Sequence, residues 1–378
     1  MKKALFLTTI SGFLQQFEMN DVEILQEMGF EVHYASNFYN PVYEVDKSEL
    51  RSKGIVLHQV GIQKSPIQLF KNLKAFWQVR KILIKENIDI IHCHNPMGGV
   101  IGRLAALGLK KKLTVIYTAH GFHFYDGAPK KNWIVYYPIE KFFSRMTDTL
   151  ITICDEDYKL AKDKFHCNVE HIHSVGANSA KFYEMDDEVR AELRQKLGYG
   201  EDELIILNVG ELLPNKNQKS AIRAMQTITK EIPNSRLLIA GNGPERESLL
   251  ALIQELGLEQ YVELLGYTTH LEEYTNICDA LVACSYREGL PMNLIEAMLC
   301  GKPVVASVNR GHRELVRDGY NGFLVSPDDV DDYAQKLIKV LKNSSDYRSN
   351  ALELSQVYTD NNVKDELKTI YNIGEKLL

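Results

Sequence analysis

At 378 residues the chain is too long for one ordinary hydrophobic core and a comfortable length for two. It is 45% hydrophobic and 25% charged, with no low-complexity tract, which is the composition of a globular protein, and no apolar run comes near the ~18–20 residues of a membrane span. Its net charge of −6 argues against general nucleic-acid binding, yet residues 1–180 carry 22 Lys+Arg against 18 Asp+Glu while residues 181–378 carry 22 against 32, so an anionic surface or acceptor is expected near the first half.

The opening Met1-Lys2-Lys3 and the apolar residues 4–10 imitate a signal peptide. The run is short, lacks a small-residue cleavage site and leads into Ser11-Gly12 and a polar helix, so it reads as a first strand. Further β-branched runs follow at 32–35, 55–60, 88–92, 114–119, 150–153 and 169–174, with helical patterns at 18–28, 67–85 and 133–145. Strands alternating with helices predict a largely parallel sheet covered on both faces. A polar stretch around 180–188 reads as the linker. The scheme then repeats, with strands at 204–209, 237–240, 262–265, 280–284, 304–306 and 323–325 and helices at 218–231, 245–256 and 291–300. Two doubly wound α/β domains follow, 1–180 and 181–360, facing across a cleft, with ligands beyond the carboxyl ends of the strands. The helical pattern at about 362–378 comes after the second sheet has used its strands, and pattern alone leaves it on either domain. Six cysteines without a Cys-x-x-Cys pair suit a reducing cytoplasm.

Residues 285–303, SYREGLPMNLIEAMLCGKP, carry the most specific signal. A strand ends near Ser285, Pro291 suits a first helical position, Gly301 ends the helix and Pro303 blocks its continuation. Free amides around residues 289–293 form a positive helix terminus suited to a diphosphate. Glu288 and Glu296 are eight residues apart, ~12 Å along a helix, whereas a hydrolytic carboxylate pair needs ~5 Å. The spacing fits one carboxylate at each end of an elongated ligand.

The string Glu288-Gly289-Leu290-Pro291, Glu296-Ala297-Met298, Gly301-Lys302-Pro303-Val304-Val305 resembles the donor signature of glycosyltransferase family 4, retaining enzymes of the GT-B fold with two Rossmann-like domains. Asp89-Ile90-Ile91-His92-Cys93-His94, Asn95-Pro96-Met97-Gly98-Gly99, Tyr117-Thr118-Ala119-His120-Gly121-Phe122-His123-Phe124 and residues 132–141 are similar to the branch that builds bacterial capsular and exopolysaccharides. The resemblance implies that Glu288 contacts donor-sugar hydroxyls beside the anomeric carbon and that Glu296 accepts hydrogen bonds from the ribose. His120 is implied beside the transferred sugar, Lys216 and Gly210 at the diphosphate, and Gly12 at a close backbone approach to it. Gly289, Leu290, Pro291, Met292 and Asn293 complete the implied donor site, and His94 and His123 are implied acceptor contacts. It further implies same-face substitution without a metal or other cofactor, a nucleotide-sugar donor of the UDP type, and a polyprenyl-diphosphate-linked acceptor. The protein is then expected in the cytoplasm, peripheral on the inner face of the plasma membrane, with residues 361–378 crossing back to the first domain. One departure is Glu211, where many members have Arg; Arg287, Arg310 or Arg313 is expected to supply that charge.

Several motifs have plainer readings. The pairs His92/His94 and His171/His173 invite zinc, but neither has a third or fourth ligand at diagnostic spacing, so no metal site is expected. Gly241-Asn242-Gly243-Pro244 lacks the third glycine of a dinucleotide fingerprint and reads as a tight turn near the nucleotide. Residues 64–85 hold six cations and no acid, with Leu69, Leu73, Phe76 and Leu83 at helical spacing, and this face is expected to pack on the first sheet. Lys130, Lys131, Trp133 and Lys141 mix cations and aromatics as membrane-interfacial segments do, and a core helix explains the aromatics about as well. The rival functions are a UDP-sugar 2-epimerase on the same fold and a non-catalytic sugar-nucleotide-binding partner.

Overall fold

Runs of Ile, Val and Leu without polar alternation form strands that need cover on both faces. The computed structural model describes residues 1–39, 41, 45–111 and 113–376, with side chains through residue 372, and the expected helix residues 377 and 378 lie outside them. The chain divides into one unit of Met1–Gly176 with Asp360–Leu378 and a second of Ala177–Thr359. The break thus falls at 176/177 rather than 180/181.

Among the described residues the first unit holds seven parallel strands: β1 (Lys3–Leu7), β2 (Glu31–Ser36), β3 (Val56–Gln59), β4 (Ile90–His94), β5 (Thr114–Ala119), β6 (Thr149–Thr152) and β7 (Asn168–His171). Their order, β3-β2-β1-β4-β5-β6-β7, reverses between β1 and β4, which places a ligand crevice at the carboxyl ends of those two strands. The helix Pro96–Ala106 lies so close to the sheet that a Cβ on Gly99 would come 2.6 Å from the Tyr117 ring, and one on Gly102 would strike Cys93 Sγ. From that helix Arg103 reaches inward, fully buried, to Glu140 at 2.9 Å, and its guanidinium lies over the Tyr117 ring. The helix Asp360–Lys376 covers this unit through buried Val363, Leu367 and Tyr371, and through Lys364–Glu23 and Lys368–Glu27 pairs to the helix Met19–Glu27.

The second unit holds β8 (Leu204–Val209), β9 (Ser235–Ala240), β10 (Val262–Gly266), β11 (Ala280–Ala283), β12 (Val304–Ser307) and β13 (Gly322–Val325), parallel in the order β10-β9-β8-β11-β12-β13 among the described residues. Its switch point lies between β8 and β11. One face is packed by the helices Gln218–Glu231 and Val330–Lys342, the other by Met292–Leu299 and Ser344–Ser355.

Several local readings are refined. β4 starts two residues later than expected, so His92 and His94 both lie inside the strand. The helix expected at 18–28 forms as Met19–Glu27, and a further short helix, Phe13–Phe17, precedes it, with Glu18 at the junction in a non-helical conformation (φ −123°). The helix Leu69–Lys85 buries Ala75, Val79 and Leu83, but Leu69 and Leu73 stay exposed, as do Ile67, Phe70 and Trp77. Trp133 turns inward, donating from Nε1 to the Tyr125 carbonyl at 3.2 Å and packing on Phe124 and Tyr137. No helix of the described residues is long and apolar enough to cross a membrane.

Candidate active site

In the second unit, β8 runs into Gly210 at φ +155°, a conformation that side chains disfavour, and a Cβ there would already touch the Lys216 stem at 3.4 Å. The turn Pro214–Lys216 then aims Lys216 Nζ at Glu288 Oε1, 2.7 Å away, with both side chains largely buried. Two backbone ties hold the loops together: Tyr286 N donates to the Asn215 carbonyl at 2.9 Å, and Asn215 Nδ2 to the Arg287 carbonyl at 3.0 Å. Gly311 packs against the Gly289 carbonyl with no room for a side chain.

A buried web supports this loop from behind. The Ser285 carbonyl accepts from Ser307 Oγ and from Asn309 Nδ2, and His312 N donates to Asn309 Oδ1 at 3.0 Å. His312 Nδ1 donates to the Ser307 carbonyl at 2.8 Å, and burial pulls the imidazole pKa down to about 4, so the ring is neutral. Pro291 caps the helix Met292–Leu299 (φ −81°, ψ 114°) instead of starting it, which shifts the free first-turn amides to residues 292 and beyond. Asn293 Nδ2 donates to the Val209 carbonyl at 2.9 Å, fixing this terminus to the end of β8, while Leu290 and Met292 pack on the core.

Glu296 lies about one turn along that helix in other surroundings. Burial raises its pKa to about 7, the Lys181 cation pulls the other way, and the nearby Glu272 carboxylate adds to the rise. Lys181 itself pairs with Glu272 at 3.1 Å. The two signature carboxylates are therefore electrostatically distinct, one paired to a lysine and one whose pKa burial raises. Glu211 is exposed, as are Arg287 and Arg313, whereas Arg310 is buried beside Gly311.

In the first unit, β5 ends directly before His120, and register with β4 sets Thr118 opposite His94. Glu18, from the junction between the first two helices, reaches both rings. His94 Nδ1 lies 3.2 Å from His120 Nε2, and Glu18 Oε1 lies 3.5 Å and 3.3 Å from those two nitrogens. Burial lowers the pKa of His120 to about 4 and that of His94 well below the ordinary imidazole value, and raises that of the Glu18 carboxyl, beside Asp21, well above its ordinary value. A chain continues behind: Thr118 Oγ1 lies 2.7 Å from His92 Nε2, His92 Nδ1 lies 2.8 Å from the Tyr371 hydroxyl, and that hydroxyl donates to Asp21 at 2.6 Å. His123 belongs to a different cluster, stacked on Tyr136. Gly12 has φ −80°, a conformation open to any residue, so its backbone does not require glycine. Glu18, Asp21 and Tyr371 carry no linear signal, because they meet the histidines only through the fold. Cavities of about 350 and 550 Å³ open at the amino-terminal edge of this sheet, lined by Leu113 and Lys111, and belong to neither cluster.

Residues 189–355 match the family described as glycosyl transferases group 1, and residues 3–154 match glycosyl transferase 4-like. The chain is 37% identical to EpsD of Bacillus subtilis, a glycosyltransferase by designation, over 98% of this chain and 96% of that one. It is a glycosyltransferase of the family 4 type. The glycosyltransferase is also 27% identical, over 88% of its length and 85% of the relative's, to the Escherichia coli UDP-Gal:α-D-GlcNAc-diphosphoundecaprenol α-1,3-galactosyltransferase. Its fold is that of Anabaena HepE, solved with UDP and glucose, at a TM-score of 0.79 and 20% identity over 99% of this chain and 100% of that one. Two Rossmann-like units of the GT-B type are thus established.

Proposed function

We propose that the glycosyltransferase moves one sugar, with retention, from a UDP-sugar to a polyprenyl-diphosphate-linked saccharide in the assembly of a capsular or exopolysaccharide. The observation that carries this reading is the Lys216–Glu288 pair at the β8/β11 switch point, beside the amino terminus of the helix Met292–Leu299. Lys216 and the helix amides hold the departing diphosphate, Glu288 binds hydroxyls beside the anomeric carbon, and Glu296 accepts from the ribose. His120 stabilises the positive charge that develops at the anomeric carbon, through its carbonyl or its neutral ring. The departing phosphate oxygen takes the acceptor proton, so transfer uses no metal and no dedicated base.

An anionic membrane fits the first unit, with a different footprint from the one expected of Trp133. Ile67, Phe70 and Trp77 are exposed at 86%, 90% and 60%, among exposed Lys64, Lys71 and Lys74. Apolar anchors ringed by cations and free of acids suit an anionic leaflet, where the acceptor's lipid is held.

The decisive experiment supplies a panel of UDP-sugars with undecaprenyl-diphosphate-linked mono- and disaccharides and reads products by mass and by anomeric coupling. An acceptor lengthened by one α-linked sugar from an α-linked donor is expected. Epimerised sugar nucleotide without elongation would assign the epimerase reading instead, and absence of turnover with every acceptor would assign the non-catalytic one.

A further inference from the structure

The cluster of Glu18, His94 and His120 holds three donor atoms in a compact triangle within the first unit: one carboxylate oxygen and two imidazole nitrogens, with edges of 3.2, 3.3 and 3.5 Å. Zinc ligated at ~2.0–2.1 Å in a tetrahedron has ligand–ligand edges of about 3.3 Å, so a single ion fits at bonding distance from all three. The donor set, two imidazoles and one carboxylate, is one that zinc accepts, and it leaves a fourth position for water or an exogenous ligand.

A second observation points the same way. Glu18 is 2% exposed, and its Oε1, the atom at the triangle's corner, is buried without a hydrogen-bond partner. Asp21 is 3% exposed beside it, and among the described residues neither acid has a Lys or Arg within ion-pair distance. Two adjacent buried carboxyl groups without a lysine or arginine are unfavourable as anions unless a cation compensates them. Outer support is present for part of the set. His94 packs against Phe6 and Phe13, and Asp21 is fixed by Tyr371, although His94 Nε2 itself has no hydrogen-bond partner. The His120 side chain is 21% exposed, which gives an ion its way in.

We infer that Glu18 Oε1, His94 Nδ1 and His120 Nε2 form a zinc site at the carboxyl ends of β4 and β5. It shares His120 with the transfer chemistry proposed above and competes with it, because a bound ion occupies the His120 ring nitrogen. Hard cations such as Mg²⁺ are disfavoured by the two imidazole donors.

The test uses the full chain, stripped with EDTA, dialysed, and titrated with Zn²⁺ in competition with a chromophoric chelator. One equivalent of tight binding is expected in the wild type, with Mg²⁺ in excess failing to displace it. Glu18→Gln keeps the shape of the side chain and should bind Zn²⁺ at least tenfold more weakly, as should His94→Gln, with folding of each checked by circular dichroism. Co²⁺ loading gives an independent readout, with the intense visible bands of tetrahedral cobalt in the wild type and their loss in Glu18→Gln. Absence of stoichiometric Zn²⁺ binding in the wild type, or equal binding in Glu18→Gln, overturns the site and leaves the triangle as a neutral, protonated acid beside two histidines. Because the readout is metal binding, it does not depend on whether the transfer reading holds.

Discussion

Lys216 and Glu288 neutralise one another across 2.7 Å, so removing either changes the field that a diphosphate meets. In Lys216→Ala the phosphate loses a charge-assisted hydrogen bond worth about 1.5–3 kcal/mol. The same change leaves the Glu288 carboxylate without its cation, and two like charges ~6 Å apart at an effective dielectric near 20 repel by up to about 3 kcal/mol before screening. With ~1.4 kcal/mol per tenfold, UDP affinity should fall by about 10²-fold or more. Glu288→Gln removes the repulsion and frees the lysine, so UDP should bind as well as to wild type or up to about tenfold tighter. Transfer in that variant should nonetheless drop by about 10²–10³-fold, because charge stabilisation at the reacting carbon is lost. The double variant then separates the two effects and should bind UDP about tenfold better than Lys216→Ala alone. Calorimetry with UDP and single-turnover transfer measure both sides. A double variant no better than Lys216→Ala, or a Lys216→Ala protein that binds UDP normally, would refute the reasoning.

Glu296, with its pKa raised from 4.5 to about 7, retains a proton in the folded protein that the unfolded chain has released, so wild-type stability relative to Glu296→Gln should fall between about pH 4.5 and 7, by at most about 3 kcal/mol. Urea midpoints at pH 5 and 8 check this, and UDP affinity should rise over the upper part of that range as the carboxylate forms. Arg103→Met strands Glu140 in the interior and should destabilise by about 3–5 kcal/mol in urea titration, while adding Glu140→Met should restore most of that loss. Replacing Ile67, Phe70 and Trp77 with Ser should abolish flotation with anionic liposomes while leaving the melting temperature within a few degrees; equal flotation would remove this face from the membrane. Glu211→Arg should leave UDP binding intact or strengthen it, as read by calorimetry, because the Glu211 side chain is exposed.

The sheets were largely legible because buried parallel strands read as unbroken apolar runs, and residues 114–119, 204–209 and 218–231 match the elements seen there. The segment expected at the donor could be singled out for a related reason: Gly289, Gly301, Pro291, Pro303 and both acids lie within 19 consecutive residues. The Glu18–His94–His120 triangle was not, since three segments 76 and 26 residues apart supply it and the linear spacing of His92 and His94 points to the wrong pair. Nor was the exposed stripe at Ile67–Trp77, because helical periodicity reports an apolar face without saying whether protein or another surface covers it. The Arg103–Glu140 pair was hidden in the same way, as 37 residues separate its partners.

The helix Asp360–Lys376 belongs to the first unit, although residues 177–359 form the second. On the ribosome the first sheet is therefore complete long before its cover arrives. At ~5–20 residues per second, the intervening stretch takes about 10–40 s to synthesise. Through that interval the Met19–Glu27 helix has no partner for the face that Leu367 and Tyr371 will occupy, and Asp21 and His92 lack the hydroxyl that joins them. The nascent first unit thus waits with an uncovered apolar face until the second has been made, and its two ends are then joined by the Tyr371 hydroxyl and by the Lys364–Glu23 and Lys368–Glu27 pairs.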